Sequence, residues 1–169
     1  MDGEPIPIDF GGRLTGNISP NLRIGVMNIQ TRRTDEFAAQ NYSVAAFQQK
    51  VLKRSVVKGM FINRLATSNT EELEYSRNAG LEFSYISESG RLNNTFMYHT
   101  SLTPENYDDT YFYGFEGNYT SKRFRTGWTL NVVGENYITE LGINPRLENY
   151  NAETEETIRL GYTLINPWV

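Results

Sequence analysis

The sequence predicts an all-β protein, an antiparallel up-and-down β-barrel of the transmembrane, outer-membrane type, from three observations. The first is alternation. Tyr111, Tyr113, Phe115, Gly117 and Tyr119 interleave with Phe112, Gly114, Glu116, Asn118 and Thr120; Phe124, Thr126, Trp128, Leu130 and Val132 interleave with Arg125, Gly127, Thr129, Asn131 and Val133. Side chains on a strand point to opposite faces with a period of two, so each segment has one greasy face and one wet face. The second is length. The alternating segments run for about ten residues, the roughly 9–11 that a tilted strand needs to cross a bilayer, against about five or six in most soluble sheets. The third is the rhythm of the connections, short after the first, third, fifth and seventh segments and long after the others, as in outer-membrane barrels with short turns at one rim.

The elements follow in order. The opening residues 4–10 are punctuated by Pro5 and Pro7 and read as extended chain, followed by Gly11-Gly12. A first strand is expected over 13–18, and Ser19-Pro20-Asn21 makes a tight turn, because Pro presets φ and Asn tolerates the left-handed region. The second strand covers 22–31 and leads into the charged loop 32–36. The third covers 42–52 and the fourth 56–66, with Lys53-Arg54 between them. The fourth is less clean: Val57, Gly59 and Phe61 oppose Val56, Lys58, Met60, Ile62 and Arg64. A lysine on a lipid-facing surface costs roughly 2–4 kcal/mol at mid-membrane. Lys58 therefore belongs on the lumen side or near a rim, unless a bulge resets the register.

After the polar loop 68–74, the fifth strand sets Ala79, Leu81, Phe83 and Tyr85 against Asn78, Gly80, Glu82 and Ser84. Gly90 sits in the next turn, where positive φ is available to it. The sixth strand sets Leu92, Phe96 and Tyr98 against Arg91, Thr95 and His99. Residues 103–109 form a third polar loop, and the seventh and eighth strands (111–120 and 124–133) are joined at Ser121-Lys122-Arg123. A long connection over 139–153 precedes a last strand carrying Ile158, Leu160, Tyr162 and Leu164. That makes nine strands, where bacterial single-chain barrels use even numbers. The expectation is a tenth strand at Ile6 to Phe10, or a barrel fragment. Pro167 near the end would interrupt a ladder anywhere but an edge.

Bulk composition sets the limits. The chain has 169 residues, suited to one domain, with net charge −4 and aromatic content of 13%, enough to supply girdles at two membrane interfaces. Mean hydropathy is −0.53 and no run of eighteen apolar residues occurs, so no transmembrane helix is expected; the average says nothing against a barrel, whose polar lumen and loops offset its lipid face. No basic stripe is present, so a nucleic-acid partner is not expected. The absence of cysteine removes disulfides and thiolate metal sites. Met1 is followed by Asp2-Gly3-Glu4-Pro5, with no basic and apolar leader, so a processed or excised piece of a longer chain is expected.

The lumen-facing candidates are Glu82, Arg91, His99, Glu116, Arg125 and Glu135. The lipid-facing candidates are Leu81, Phe83, Tyr85, Phe96, Tyr113, Phe115, Trp128 and Leu130. The charged set either tunes passage of a polar ligand or fills a narrow barrel with ion pairs. His99 is the only histidine, so a metal would need carboxylates beside it. Glu105, Asp108 and Asp109 are hard-oxygen donors without the spacing of a calcium loop. No Gly-x-Ser-x-Gly elbow occurs. No catalytic residue, metal site or cofactor is assigned.

Short Gly-punctuated runs carry a family resemblance. They are Pro7-Ile8-Asp9-Phe10-Gly11-Gly12-Arg13-Leu14-Thr15-Gly16, Gly25-Val26-Met27-Asn28-Ile29-Gln30-Thr31, Gly59-Met60-Phe61-Ile62-Asn63-Arg64 and Gly142-Ile143-Asn144-Pro145-Arg146. With the stretch from Tyr42 to Ser55, they resemble the C-terminal barrel-like region called domain of unknown function 5916 in envelope proteins of Gram-negative bacteria. Those proteins carry an N-terminal domain like family 9 carbohydrate-binding modules, and the resemblance implies such a domain in the full protein, outside this sequence. The resemblance implies an outer-membrane location and contact with lipid, and an envelope glycan or other outer-membrane proteins as partners. It carries over no functional residue. The expected role is a membrane anchor or translocation pore for an envelope protein, in glycan handling. The competing expectations are a soluble β-barrel or sandwich that binds a small apolar or sugar ligand, and a membrane-embedded hydrolase.

Overall fold

The computed structural model describes residues 6–35, 37–68, 74–139, 148–152 and 154–169. Most of the loop expected at 68–74, much of the connection expected at 139–153 and the run 142–146 lie outside the described residues. The strands are β1 (Ile8–Asn17), β2 (Leu22–Thr31), β3 (Gln40–Val51), β4 (Ser55–Ala66), β5 (Tyr75–Ile86), β6 (Leu92–Leu102), β7 (Tyr111–Thr120), β8 (Arg125–Val133), β9 (Glu148–Asn151), β10 (Glu156–Arg159) and β11 (Tyr162–Trp168). β1 to β8 and β11 form one nine-stranded antiparallel sheet in that order, and β9 and β10 form a separate hairpin.

One expectation is met in part and one is corrected. The sheet is open: among the described residues β1 and β11 each pair on one side only, so the nine strands do not close into a barrel. The stretch Ile6 to Phe10 is not a tenth strand but the lead-in to β1, which begins at Ile8 and carries an irregularity between Ile8 and Phe10. The last expected strand straddles two elements, because the chain leaves β10 at Arg159 and re-enters the main sheet at Tyr162. Pro167 then falls on β11, an edge strand, where its missing N–H costs no ladder bond.

The connections segregate by length. Residues 18–21, 52–54, 87–91 and 121–124 turn the chain at one end of the sheet. The longer connections leave β2, β4, β6 and β8 from the other end. The short turns are built locally: Ser19 Oγ accepts from the backbone N–H groups of Asn21 and Leu22, and Ser121 Oγ accepts from those of Arg123 and Phe124. Gly90 takes φ of 70° in the turn after β5, which L side chains rarely adopt.

The described residues form no hydrophobic core of ordinary size. Among the described residues only Ile62, Val133 and Tyr137 are buried apolar side chains. The surface area is 12109 Å². A compact monomer of this mass exposes about 8,500 Å². The excess is what a single unstacked sheet leaves open.

Candidate functional site: two faces of one sheet

Residues paired across antiparallel strands project to the same side. Tracing the register from strand to strand therefore assigns every side chain to one of two faces. One row runs Val57, Phe83, Phe96, Phe115, Leu130, Ile165, and the next Gly59, Leu81, Tyr98, Tyr113, Val132, Thr163. All eight side chains expected to be lipid-facing fall on this apolar face: Leu81, Phe83, Tyr85, Phe96, Tyr113, Phe115, Trp128 and Leu130. Rings stack along it, Phe96 on Phe115 at 4.6 Å and Tyr98 on Tyr113 at 5.0 Å, with Trp128 6.1 Å from Phe115. Leu14, Val26, Phe47, Phe61, Leu81, Phe96, Tyr113, Leu130 and Ile165 are all exposed. Of the exposed large apolar side chains in the nine strands, only Ile8 at its irregularity, Met60 and Trp168 lie off this face.

Polar aromatics mark the ends of the band. Tyr75 and Tyr111 stand at the long-loop end, and Tyr85, Tyr119 and Trp128 near the short-turn end, with Phe, Leu, Val and Ala between them beside the cross-strand pair Tyr98 and Tyr113. Tyr111 and Tyr119 are eight residues apart on β7, about 26 Å along the strand. At a tilt of about 40° that projects to roughly 20 Å, close to the 25 Å apolar band of outer-membrane barrels. Arg77 lies over the Tyr75 ring at 4.4 Å. Tyr107, from the long loop, hydrogen-bonds Tyr75, which raises its hydroxyl pKa. On β2 and β3 the band is narrower. There Asn28 donates to Asn41 Oδ1 and Ser43 Oγ, both at 2.9 Å, and the amides satisfy one another toward the long-loop end.

The other face is polar. Glu82, His99, Glu116 and Arg125 lie on it, together with Lys58. Lys58 Nζ donates to Glu82 Oε2 at 3.1 Å. His99 Nε2 is 3.7 Å from Glu82 Oε1, and its ring stacks on Phe112 at 5.4 Å. The register through β4 runs unbroken, so Lys58 reaches this face without a bulge. A Cβ at Gly80 would sit 2.7 Å from His99 Cδ2, so glycine there makes room for the imidazole. Arg125 lies 5.3 Å over the Trp168 ring, which itself covers Gly127. Arg91 and Glu135, expected on strand faces, are not on strands: β6 begins at Leu92 and β8 ends at Val133, so both fall in turns.

The polar face is also partly covered. After β8 the chain folds back over its long-loop end as a strap, residues 134–139. Tyr137 is buried 6.0 Å from the Phe112 ring, packed with Val133. Ile138 N donates to Ser101 Oγ at 2.9 Å, and Asn78 Nδ2 donates to Ile138 O at 3.0 Å. Arg159, from β10, donates to the carbonyls of Glu135 and Tyr137. Asn136 Nδ2 donates to Asp108 O, tying the strap to the loop that carries Asp108 and Asp109. Burial raises the pKa of the Tyr137 hydroxyl. Nothing local in the sequence announces this strap. Its only sequence signal is a lone aromatic after a Gly-Glu-Asn turn. Among the described residues no group of three or more His, Asp or Glu side chains is arranged to hold a metal ion.

No family model matches the chain, and no curated protein or solved structure matches it.

Proposed function

We propose that this sheet is part of the wall of a bacterial outer-membrane β-barrel, with its apolar face toward lipid and its polar face toward the barrel interior. In this reading it serves an envelope protein as membrane anchor or translocation pore. One observation carries the proposal: an exposed apolar face spans nine strands of one sheet, with Tyr at its long-loop end and Tyr and Trp toward its short-turn end. Exposed patches on soluble monomers rarely exceed a few hundred Å². A bilayer replaces the missing core with hydrocarbon, and strands of this length suit its thickness. The strap on the polar face supports the same orientation, since a polar barrel interior is where a long loop folds inward. A role in glycan handling, with an envelope glycan as partner, follows only from the resemblance to domain of unknown function 5916. No catalytic step is part of this reading.

A second reading rests on the apolar face itself. It carries an open groove of about 440 Å³, lined in part by Val57, Leu81, Phe96, Tyr113 and Leu130. In a soluble protein that groove would hold a small apolar ligand or a second sheet.

Single-cysteine labelling separates the two, and the cysteine-free background makes it clean. Labels at Tyr113, Phe115, Trp128 and Leu130, and at Glu116 and Asn131, are read in detergent and in vesicles. Lipid-soluble quenchers should reach the first four and spare the last two. Protection of the first four, with free aqueous reaction at Glu116 and Asn131, would replace the membrane reading by the soluble one.

A further inference from the structure

On the polar face, next to the ion pair, two neighbouring rows of side chains differ sharply in size. Arg23, Gln48, Lys58 and Glu82 stand side by side on β2 to β5. The adjacent row on the same strands is Gly25, Ala46, Met60 and Gly80, ending at His99 on β6. Three of those four residues are Gly or Ala, so the long row stands above a depression. The result is an open hollow of about 370 Å³, with Arg23, Gln48, Lys58, Glu82 and His99 as its polar rim and a largely apolar floor. That is the usual make-up of a small-molecule site: apolar walls with a few convergent polar groups.

The charges of the rim are unequal. Lys58 is taken by Glu82. Among the described residues, Arg23 makes no hydrogen bond or ion pair, and it stands two strands from Lys58, about 10 Å away. One uncompensated guanidinium beside an existing ion pair favours a single negative charge. A dianion would meet repulsion from Glu82. Guanidinium presents a planar fork that matches a carboxylate. Gln48, His99 and Thr15, which is paired with Gly25 from β1, then offer hydrogen bonds to hydroxyl groups on the body of the ligand.

We propose that this hollow is a binding subsite for a small hydroxylated carboxylate, with Arg23 holding the carboxylate and the Gly25–Ala46–Gly80 floor accommodating the body of the molecule. Its polar rim and the Gly25–Ala46–Gly80 floor lie on the polar face, so the site stands whether the opposite face meets lipid or protein.

The test is calorimetric titration of the refolded full chain in detergent, with circular dichroism confirming the fold of every variant. Glucuronate is the probe, with glucose and inorganic sulfate as controls. Glucuronate should bind, and glucose should bind at least tenfold more weakly. Arg23→Gln should weaken glucuronate by about ten- to a hundredfold, the usual worth of a hydrogen bond to a charged group. Lys50→Gln, outside the hollow, should change nothing. Ala46→Leu fills the floor, keeps every charge, and should weaken glucuronate to a similar degree. Absence of glucuronate binding by the folded protein overturns the proposal, as does full affinity in Arg23→Gln. Sulfate competing as well as glucuronate, with Ala46→Leu inert, also overturns it and leaves only an unselective cation.

Discussion

The two faces of this sheet are made by the same strands and differ in what they leave unfinished. The polar face completes itself except at the hollow beside Arg23: Lys58 meets Glu82, His99 settles over Gly80, Trp168 covers Gly127, and the strap at 134–139 closes one end. The apolar face completes nothing. Its rings stack on one another, but no second layer covers them, and the amide cluster around Asn28 and Asn41 marks where it turns polar. At about 25 cal/mol per Å², an uncovered apolar face this broad is a large unmet driving force. A sheet can be polar on both sides or can stack. This one does neither, and the proposed contact with lipid rests on that asymmetry.

The comparison can be broken most severely at the strap. Tyr137→Ala removes the largest buried side chain on the polar face. A loss of about 3–5 kcal/mol is expected, as for other buried aromatics, read as lost amide protection over residues 134–139. Next come two adjacent residues on β6. Phe96→Arg puts a charge in the middle of the apolar face and should cost roughly 2–4 kcal/mol of folding into vesicles, whereas Thr95→Arg, beside Glu116, should cost almost nothing. Equal costs would mean the faces are not distinguished by lipid. Gly80→Ala forces His99 to give way and should cost about 1 kcal/mol in denaturant titration. Glu82→Gln leaves Lys58 half exposed without its partner and should change stability by less than about 1 kcal/mol.

The smallest effect is on pH dependence. Burial raises the folded-state pKa of Tyr137 above the unfolded value of 10.0. Its contribution to stability is therefore complete below pH 10 and is lost as pH rises from there through the folded pKa. The strap should loosen in alkali before the sheet does, visible as a late-titrating tyrosine in ultraviolet absorbance that disappears in Tyr137→Phe.

The alternation was legible because period two survives any tertiary context. β2 runs from Leu22 to Thr31 as expected, and β7 from Tyr111 to Thr120. The assignment of Glu82 and His99 to one face and of Leu81 and Tyr113 to the other follows from parity alone. Arg91 and Glu135 lie beyond the ends of β6 and β8, where strand parity no longer assigns a face. The split of the last strand at Leu160 and Gly161 was invisible, since Ile158, Leu160, Tyr162 and Leu164 keep a perfect alternation across a break in pairing. The hollow beside Arg23 was illegible for a different reason. Its rows are perpendicular to the chain, so their contrast in size exists only once four strands are aligned.

The count of nine has a directional consequence. With strictly alternating senses, the first and last strands of the sheet run the same way, from the long-loop rim to the short-turn rim. A direct seam between β1 and β11 would be parallel, against the grain of every other pair. A single further strand of opposite sense, beginning at the short-turn rim, would satisfy both borders with antiparallel bonds and restore even parity. Under the proposed membrane reading no backbone edge can stay bare in hydrocarbon, so strand polarity would decide which neighbours can complete the sheet.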